Sequence, residues 1–491
     1  MRRARCWLLA IVAGLLTFAA PAAAHESRLG ANWLMESSML QQDPRPGWYT
    51  PSPTSQSANM AMLGDVYRSK PVSTYRNSDL AFWGRWAYAG HYDGFQIVDL
   101  ANPSRPRVVT DYDCPGSQHD VSVWGGRLLF VSVETPRSGP GCDSVTQSPG
   151  FEGIRIFDVS MPGAPSLIAG VPTDCGSHTH TLVPDLARGR VLLYVASYTA
   201  SEIAVSPFGN ECRRFEDAER TRPAHNKISV VAVPLRDPAA AEVISEPRIP
   251  QNSYRSTPGF MGCHDITVFP AIDRAASACM GEGQLWDISD KANPKTIARI
   301  HNPNVEFFHS ATFSADGERV VFGDEAGGGT QPRCRSTDPM TLGALWFYDV
   351  DALDNMDSST VEPWRSSFKV PRPQDPVAPN TTAGNCTMHN FNVLPLRSRD
   401  VLVSSAYAAG TTVVDFTNAS RPREIGHLDP QGANTWSSYW YDGEIVTNDS
   451  GRGVDVMDIS HAAVRGARAQ RYSNPQTQDF FVDRSAGEGT E

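Results

Sequence analysis

The sequence predicts an all-β protein: a seven-bladed β-propeller of four-stranded antiparallel blades, its ring closed by an outer strand from the N-terminal side. Three observations predict this. A short motif recurs seven times, reading two apolar residues, Asp, an apolar residue and a polar run that usually ends in Pro. Around each copy stand further short segments of alternating polarity, with turn residues between them. The last copy is one strand short, and an unpaired strand-like segment, "MAMLGDVYR" (60–68), precedes the first.

The chain opens on "MRRARCWLLAIVAGLLTFAAPAAA", three arginines followed by a brief apolar run and a small-residue end. This has the form of a secretory signal peptide cleaved after Ala24, and is too short for a confident membrane anchor. The expectation is an exported protein, periplasmic or extracellular, with no membrane span. Loss of Arg2, Arg3 and Arg5 moves the formal charge from −11 to −14. Such a chain repels phosphate backbones, which argues against nucleic acid as a partner. Residues 25–59 are polar and Pro-rich and read as a flexible leader. Residues 60–473 carry the propeller, and 474–491 read as a disordered polar tail. His25 would begin the mature chain, where an amine and its own imidazole chelate copper. A monomer is expected.

The motif appears as "IVDLANPSRP" (97–106), "IFDVSMPGAP" (156–165), "LWDISDKANP" (285–294) and "VVDFTNASRP" (413–422), with weaker copies at 347–355 and 456–464. The segment 230–238 keeps the apolar pattern with Ala232 in place of Asp. An Asp at a strand end accepts backbone N–H groups of the turn that follows, and Pro restarts an extended chain. Asp99, Asp158, Asp287, Asp349, Asp415 and Asp458 are therefore assigned to turns rather than to chemistry. Blade 2 shows the full unit: "HDVSVWGG" (119–126), "RLLFVSVE" (127–134), "GIRIFDVS" (153–160) and "PSLIAGVPTD" (165–174).

The stretch "GFQIVDLANPSRPRVVTDYDCPGSQHDVSVWGGRLLFVS" (94–132) resembles the LVIVD-repeat proteins, a family of bacterial β-propellers named for the strand that here reads "FQIVDL". The resemblance extends over most of 60–461 and implies the propeller fold. Long insertions at 135–151, 199–226 and 328–342 depart from the short family repeat, and the resemblance carries no specific activity.

The inner strands open alike: "HDVSVW" (119–124), "HTHTLVP" (178–184), "HDITVFP" (264–270), "HSATFS" (309–314) and "HNFNVLP" (389–395). Ser78 and Thr435 take the corresponding place in blades 1 and 7. His180 follows His178 by two residues and shares its strand face by alternation. Inner strands surround the propeller axis, so His119, His178, His264, His309 and His389 are expected to converge with His180 at one mouth of the channel. Imidazoles suit copper, iron or zinc. Glu134 and Glu325, which end second strands on the same face, are the candidate proton-moving residues. His91, Asp324 and Asp449 end second strands there too. Asp120, Asp265 and Asn390 face the other way and are assigned to inter-blade hydrogen bonds. Trp436 and Tyr439 could line a pocket or pack between blades.

Eight cysteines remain after the leader, with no Cys-x-x-Cys pair, which favours disulfides in an oxidising compartment. Their places in the repeat suggest the pairs 114–142, 175–212, 263–279 and 334–386, all on the histidine face. Gly-x-Ser-x-Gly, His-Glu-x-x-His and phosphate-binding glycine loops are absent from the sequence. Two functions follow as expectations. One is a metal-dependent enzyme, an oxidoreductase, acting on a small-molecule substrate. The other is a non-catalytic scaffold with structural histidines that binds a cell-envelope protein.

Overall fold

The computed structural model describes residues 53–67, 76–147, 150–199, 225–250, 261–329, 333–354, 364–374 and 385–479. They form seven four-stranded antiparallel blades. From the axis outward, blade 1 runs Asn77–Trp83, Trp86–His91, Gly94–Asp99 and Arg107–Asp113; blade 2 runs Val121–Trp124, Leu128–Arg137, Phe151–Asp158 and Ser166–Pro172. Blade 3 runs Thr179–Asp185, Arg190–Ala196, Ser229–Pro234 and Glu242–Ser245; blade 4 runs Asp265–Phe269, Arg274–Cys279, Glu282–Asp287 and Lys295–Ile300. Blade 5 runs Phe308–Phe313, Arg319–Asp324, Leu345–Asp349 and Trp364–Phe368; blade 6 runs Phe391–Val393, Val401–Ser405, Thr411–Asp415 and Arg423–Pro430. Blade 7 takes Thr435–Tyr441, Glu444–Asp449 and Gly453–Ile459 from one end of the chain and its outer strand, Met60–Tyr67, from the other.

The repeated Asp makes the expected turn. Asp99, Asp158, Asp287 and Asp415 each accept the backbone N–H two residues on, at 2.8–3.1 Å. The pairing of third and outer strands slips once in every blade. A bulge of this kind sharpens the local twist and lets neighbouring blades nest.

The apolar cores lie between blades. The interface that closes the ring packs Leu80, Phe82, Ala89 and Val98 of blade 1 on Tyr439, Tyr441, Val446 and Val454 of blade 7. Phe82 stacks on Tyr441 with ring centroids 4.5 Å apart. The Tyr441 hydroxyl donates to Gly84 O at 2.6 Å, across 357 residues of chain. Burying one such ring contributes about 1.5–3 kcal/mol.

Two boundaries differ from the sequence expectation. Residues Pro53–Gln56, placed in the flexible leader, pair with Arg423–Pro430 as a fifth strand outside blade 6. At the other end, the tail expected from 474 is packed as far as 479. Tyr472–Ser473 pair with the inner strand of blade 1. The Asn474 side chain then closes on both the N–H and C=O of Val123, at 2.7 and 3.0 Å. Gln478 does the same to Phe313, at 2.6 and 2.8 Å. Thr477 Oγ1 donates to Leu182 O, and the Gln476 C=O and Gln478 N–H bond the backbone of Val268. Phe82, Val123, Leu182, Val268 and Phe313 each stand four residues beyond the first residue of the aligned inner-strand motif. The C-terminal segment thus laces five inner strands at one level, roughly 13 Å along each strand from its head. Composition hid this, because polar residues here replace missing backbone partners instead of meeting water.

Asn474→Ala and Gln478→Ala each strand a buried N–H and C=O, so each is expected to destabilise the fold by about 1–3 kcal/mol. Urea unfolding checks this, and an unchanged midpoint in both variants removes the lacing role.

Candidate metal centre

A four-stranded blade stands edge-on to the axis, and its side chains project from the sheet faces toward the neighbouring blades. The inner-strand imidazoles accordingly lie along the ring, each reaching toward the next blade. His178, His264, His309 and His389, from blades 3 to 6, form a continuous arc with ring centroids 4.3, 3.9 and 4.3 Å apart. All four are buried. The space open to a water-sized centre beside them is about 10 Å³, room for one water or one ion.

Hydrogen bonds set the tautomers of two rings. His389 Nδ1 donates to Trp436 O at 2.5 Å, and His264 Nδ1 donates to His309 O at 3.1 Å. A backbone carbonyl only accepts, so the Nε2 atoms of neutral His389 and His264 are lone pairs. His178 Nε2 lies 2.7 Å from His264 Nε2 and therefore carries the proton between them. The other nitrogen of His178 faces Glu134 Oε2 at 2.6 Å, and Ser117 Oγ donates to Glu134 Oε1 at 2.7 Å. Glu134 thus acts on the arc through His178.

Glu325 sits between the last two rings. Its Oε2 is 3.6 Å from His309 Nε2 and its Oε1 is 3.5 Å from His389 Nε2. One donor atom from each of His309, Glu325 and His389 lies within 4.8 Å of the others. Burial pushes the Glu325 carboxyl up to about 7, against the lowering effect of the Tyr407 hydroxyl bonded to it and of nearby His178.

The structure leaves His119 and His180 out of this cavity. His119 has φ +56°, a left-handed backbone that turns its ring to blade 1, where Nδ1 donates to His91 O at 2.6 Å. Gln118 lines the cavity in its stead. His180 has both ring nitrogens engaged, Nδ1 with Ser132 Oγ and Nε2 with Ser122 Oγ, each at 2.8 Å. Burial pushes both imidazoles down to about 3, so they are neutral. Alternation failed for His180 because regular pairing begins only at Thr179, after His178. In blade 7 the corresponding head is Trp436, not Thr435: it sits in the bulge that His309 occupies in blade 5, and the two-residue turn at Asp442–Gly443, shorter than the turn of blade 5, moves that place one residue along. Trp436 lines the cavity, whereas Tyr439 is fully buried between blades.

The other mouth residues brace loops. Asp324 accepts the N–H groups of Glu306, Phe307 and Gly343, and Asp449 those of Asn434, Gly451 and Arg452, at 2.8–3.1 Å. His91 Nδ1 accepts from Asp93 N, and its Nε2 faces Asp111 at 3.3 Å. Asp120 makes the expected inter-blade bond, accepting His180 N at 2.7 Å.

Sequence reasoning missed Tyr198, Phe307 and Tyr407. Tyr198 and Phe307 line the cavity, and the Tyr407 ring lies 4.7 Å from that of His389, tilted by 48°. Tyr198 and Tyr407 follow closely on second strands, as Glu325 does, so the position that flagged Glu325 also pointed to the two tyrosines. Three expected disulfides are present: Cys114–Cys142, Cys263–Cys279 and Cys334–Cys386. The expected 175–212 pair involves a residue outside the described set.

Residues 76–114, which span blade 1, match the family model described as LVIVD repeat. The chain is a seven-bladed β-propeller that carries an LVIVD repeat. No curated protein matches it. Among solved structures, the β-propeller domain of Cps50 (Swd1) from Myceliophteria thermophila is similar over 81% of this chain and 99% of that chain, at 12% identity and a TM-score of 0.46. The repeat and the disulfides are consistent with an extracytoplasmic protein. Among the described residues no helix is long and apolar enough to cross a membrane.

The raised Glu325 carboxyl fixes the sign of a pH effect. Between the unfolded value near 4.5 and the folded value near 7, the folded protein binds this proton and the unfolded chain does not. Its contribution is lost as pH rises through that window. Metal-free Glu325→Gln escapes the loss and is expected to gain on wild type from pH 5 to pH 8, by up to about 3 kcal/mol. Urea unfolding at each pH measures the difference, and a gap that does not change with pH contradicts the assignment.

Proposed function

We propose that the protein is an exported metalloprotein in which His309, His389 and Glu325 hold one transition-metal ion at the channel mouth. The observation that carries this reading is the one such cluster among the described residues, two imidazoles and a carboxylate, all buried, with donor atoms within 4.8 Å of one another. Donors bonded to a tetrahedral ion at about 2.0–2.2 Å stand about 3.3–3.6 Å apart, which the 3.6 Å from Glu325 Oε2 to His309 Nε2 matches. The Nδ1 bond from His389 to the Trp436 carbonyl is the kind of outer contact that aims Nε2 at a metal.

Two imidazoles and a carboxylate suit zinc or iron(II), and the cluster leaves a coordination position open. Iron or copper at this centre supplies oxidoreductase chemistry, and zinc supplies Lewis-acid chemistry. The chain's own part is positional. His264 stands against His309 with a lone pair turned to His178. The partly exposed Glu134 links that pair to solvent and can exchange a proton with it. Export is supported by the arginine-led apolar leader and by the disulfides.

A second reading, a binding scaffold for a cell-envelope partner with structural imidazoles, is favoured by one observation. His264 and His389 each spend an N–H on a neighbouring blade's carbonyl.

Titration of the metal-stripped protein with Zn2+, Fe2+ and Cu2+ in turn separates the two. About one tightly held ion per chain is expected, with binding weakened 100-fold or more in His309→Ala/His389→Ala. Binding that is absent, or indifferent to that double substitution, overturns the metal reading and leaves the scaffold.

A further inference from the structure

We propose that Tyr407 is a positioning residue of this centre: its hydroxyl occupies one oxygen of Glu325 and leaves the other for the cation. The inference rests on the metal reading above and deepens it.

Three independent features place Tyr407. The first is a strained backbone. Its φ is +45°, a left-handed conformation that bulky side chains rarely adopt. Strain of this kind persists only where the surroundings over-determine it, and it gathers at functional sites. Here the Tyr407 carbonyl accepts Gly410 N and Thr435 N, both at 3.1 Å, and Thr435 Oγ1 at 3.2 Å. Those bonds fix the turn "AYAAG" (406–410) in the one shape that sends the ring inward.

The second is the contact itself. The buried hydroxyl donates to Glu325 Oε1. Glu325 presents two oxygens, one toward His309 and one toward His389. With Oε1 engaged by Tyr407, Oε2 is the oxygen left to bind an ion in one-oxygen fashion. A carboxylate held this way cannot wrap the ion with both oxygens, which preserves an open side for an exogenous ligand.

The third is the wall behind the pair. Gly329 has φ +67°, and a Cβ there would stand 2.6 Å from Glu325 Oε1 and 2.7 Å from the Tyr407 hydroxyl. Any side chain at 329 therefore collides with the contact. The ring also rests on His389, 4.7 Å between centroids, and at 6.3 Å from Trp436. Tyr407 thus contacts one proposed ligand with its ring and another with its hydroxyl.

The test is Tyr407→Phe in the full chain, which keeps the ring and its packing and removes only the hydroxyl. Metal-stripped wild type and variant are titrated with Co2+ and Zn2+, and the visible spectrum of the Co2+ form is recorded with and without azide. The expected result is affinity about 10–100-fold weaker in the variant, with a changed Co2+ spectrum and a weaker response to azide as Glu325 uses its second oxygen. Equal affinity with an identical spectrum overturns the proposal. Should wild type bind neither ion, the metal reading itself fails. The positioning role is then judged from crystals of metal-free Tyr407→Phe. Glu325 still seated between His309 and His389 overturns that role, and Glu325 swung away upholds it.

Discussion

Everything at the channel mouth depends on ring closure. Met60–Tyr67 completes blade 7 by pairing with Gly453–Ile459, nearly 400 residues away along the chain. An open array of blades would leave the faces of blades 1 and 7 exposed and free to splay. Closure sets the angle between neighbouring blades, and that angle decides whether imidazoles from blades 3 to 6 meet at 4 Å or drift apart. The lacing by residues 472–479 acts on the same geometry from the far end of the inner strands. Two ends of one polypeptide therefore hold a site whose donors come from its middle.

The orientation of the sheets then shapes the site. Because each blade stands edge-on to the axis, a head residue does not point at the centre of the channel. It points along the ring to the next blade, as the bonds from His264 to His309 O and from His389 to Trp436 O show. The imidazoles of blades 3 to 6 consequently make a file along the ring rather than a radial cluster. A carboxylate must enter from another strand to turn two members of the file into a ligand set. Glu325, just past the second strand of blade 5, does so between His309 and His389. Glu134, past the midpoint of its own second strand, meets the other end of the file at His178.

The fold was legible because its signals repeat. The Asp turn and the four-strand spacing are each written several times, and a slip in one copy is corrected by the others. The disulfides followed from the same regularity. The site was legible only where the spacing from strand head to turn holds. His178, His264, His309 and His389 sit where the register put them. His119 failed because a left-handed residue turns its ring to blade 1, and Thr435 failed because a shorter turn after the strand puts Trp436 in the bulge that His309 occupies in blade 5. Neither irregularity has a marker such as Gly or Pro at the position itself. The packed C-terminal segment was hidden for a different reason. Its Asn, Gln and Thr are polar residues buried against backbone, and burial of that kind leaves no hydrophobic pattern to read.

The two irregular heads also explain why the file has ends. A fully repetitive propeller would carry an imidazole in every blade and spread any cation affinity around the ring. Here blade 1 offers Ser78, blade 2 turns His119 away and substitutes Gln118, and blade 7 presents the indole of Trp436. These breaks confine the imidazoles to an arc of four. Within the arc, the direct contact between His178 and His264 commits the lone pair of His264 to a proton and leaves it poorly placed to bind an ion. Only His309 and His389 then face a carboxylate across the separation that an ion would fill. Duplication supplied the copies, and local departures from it concentrated them at a single place.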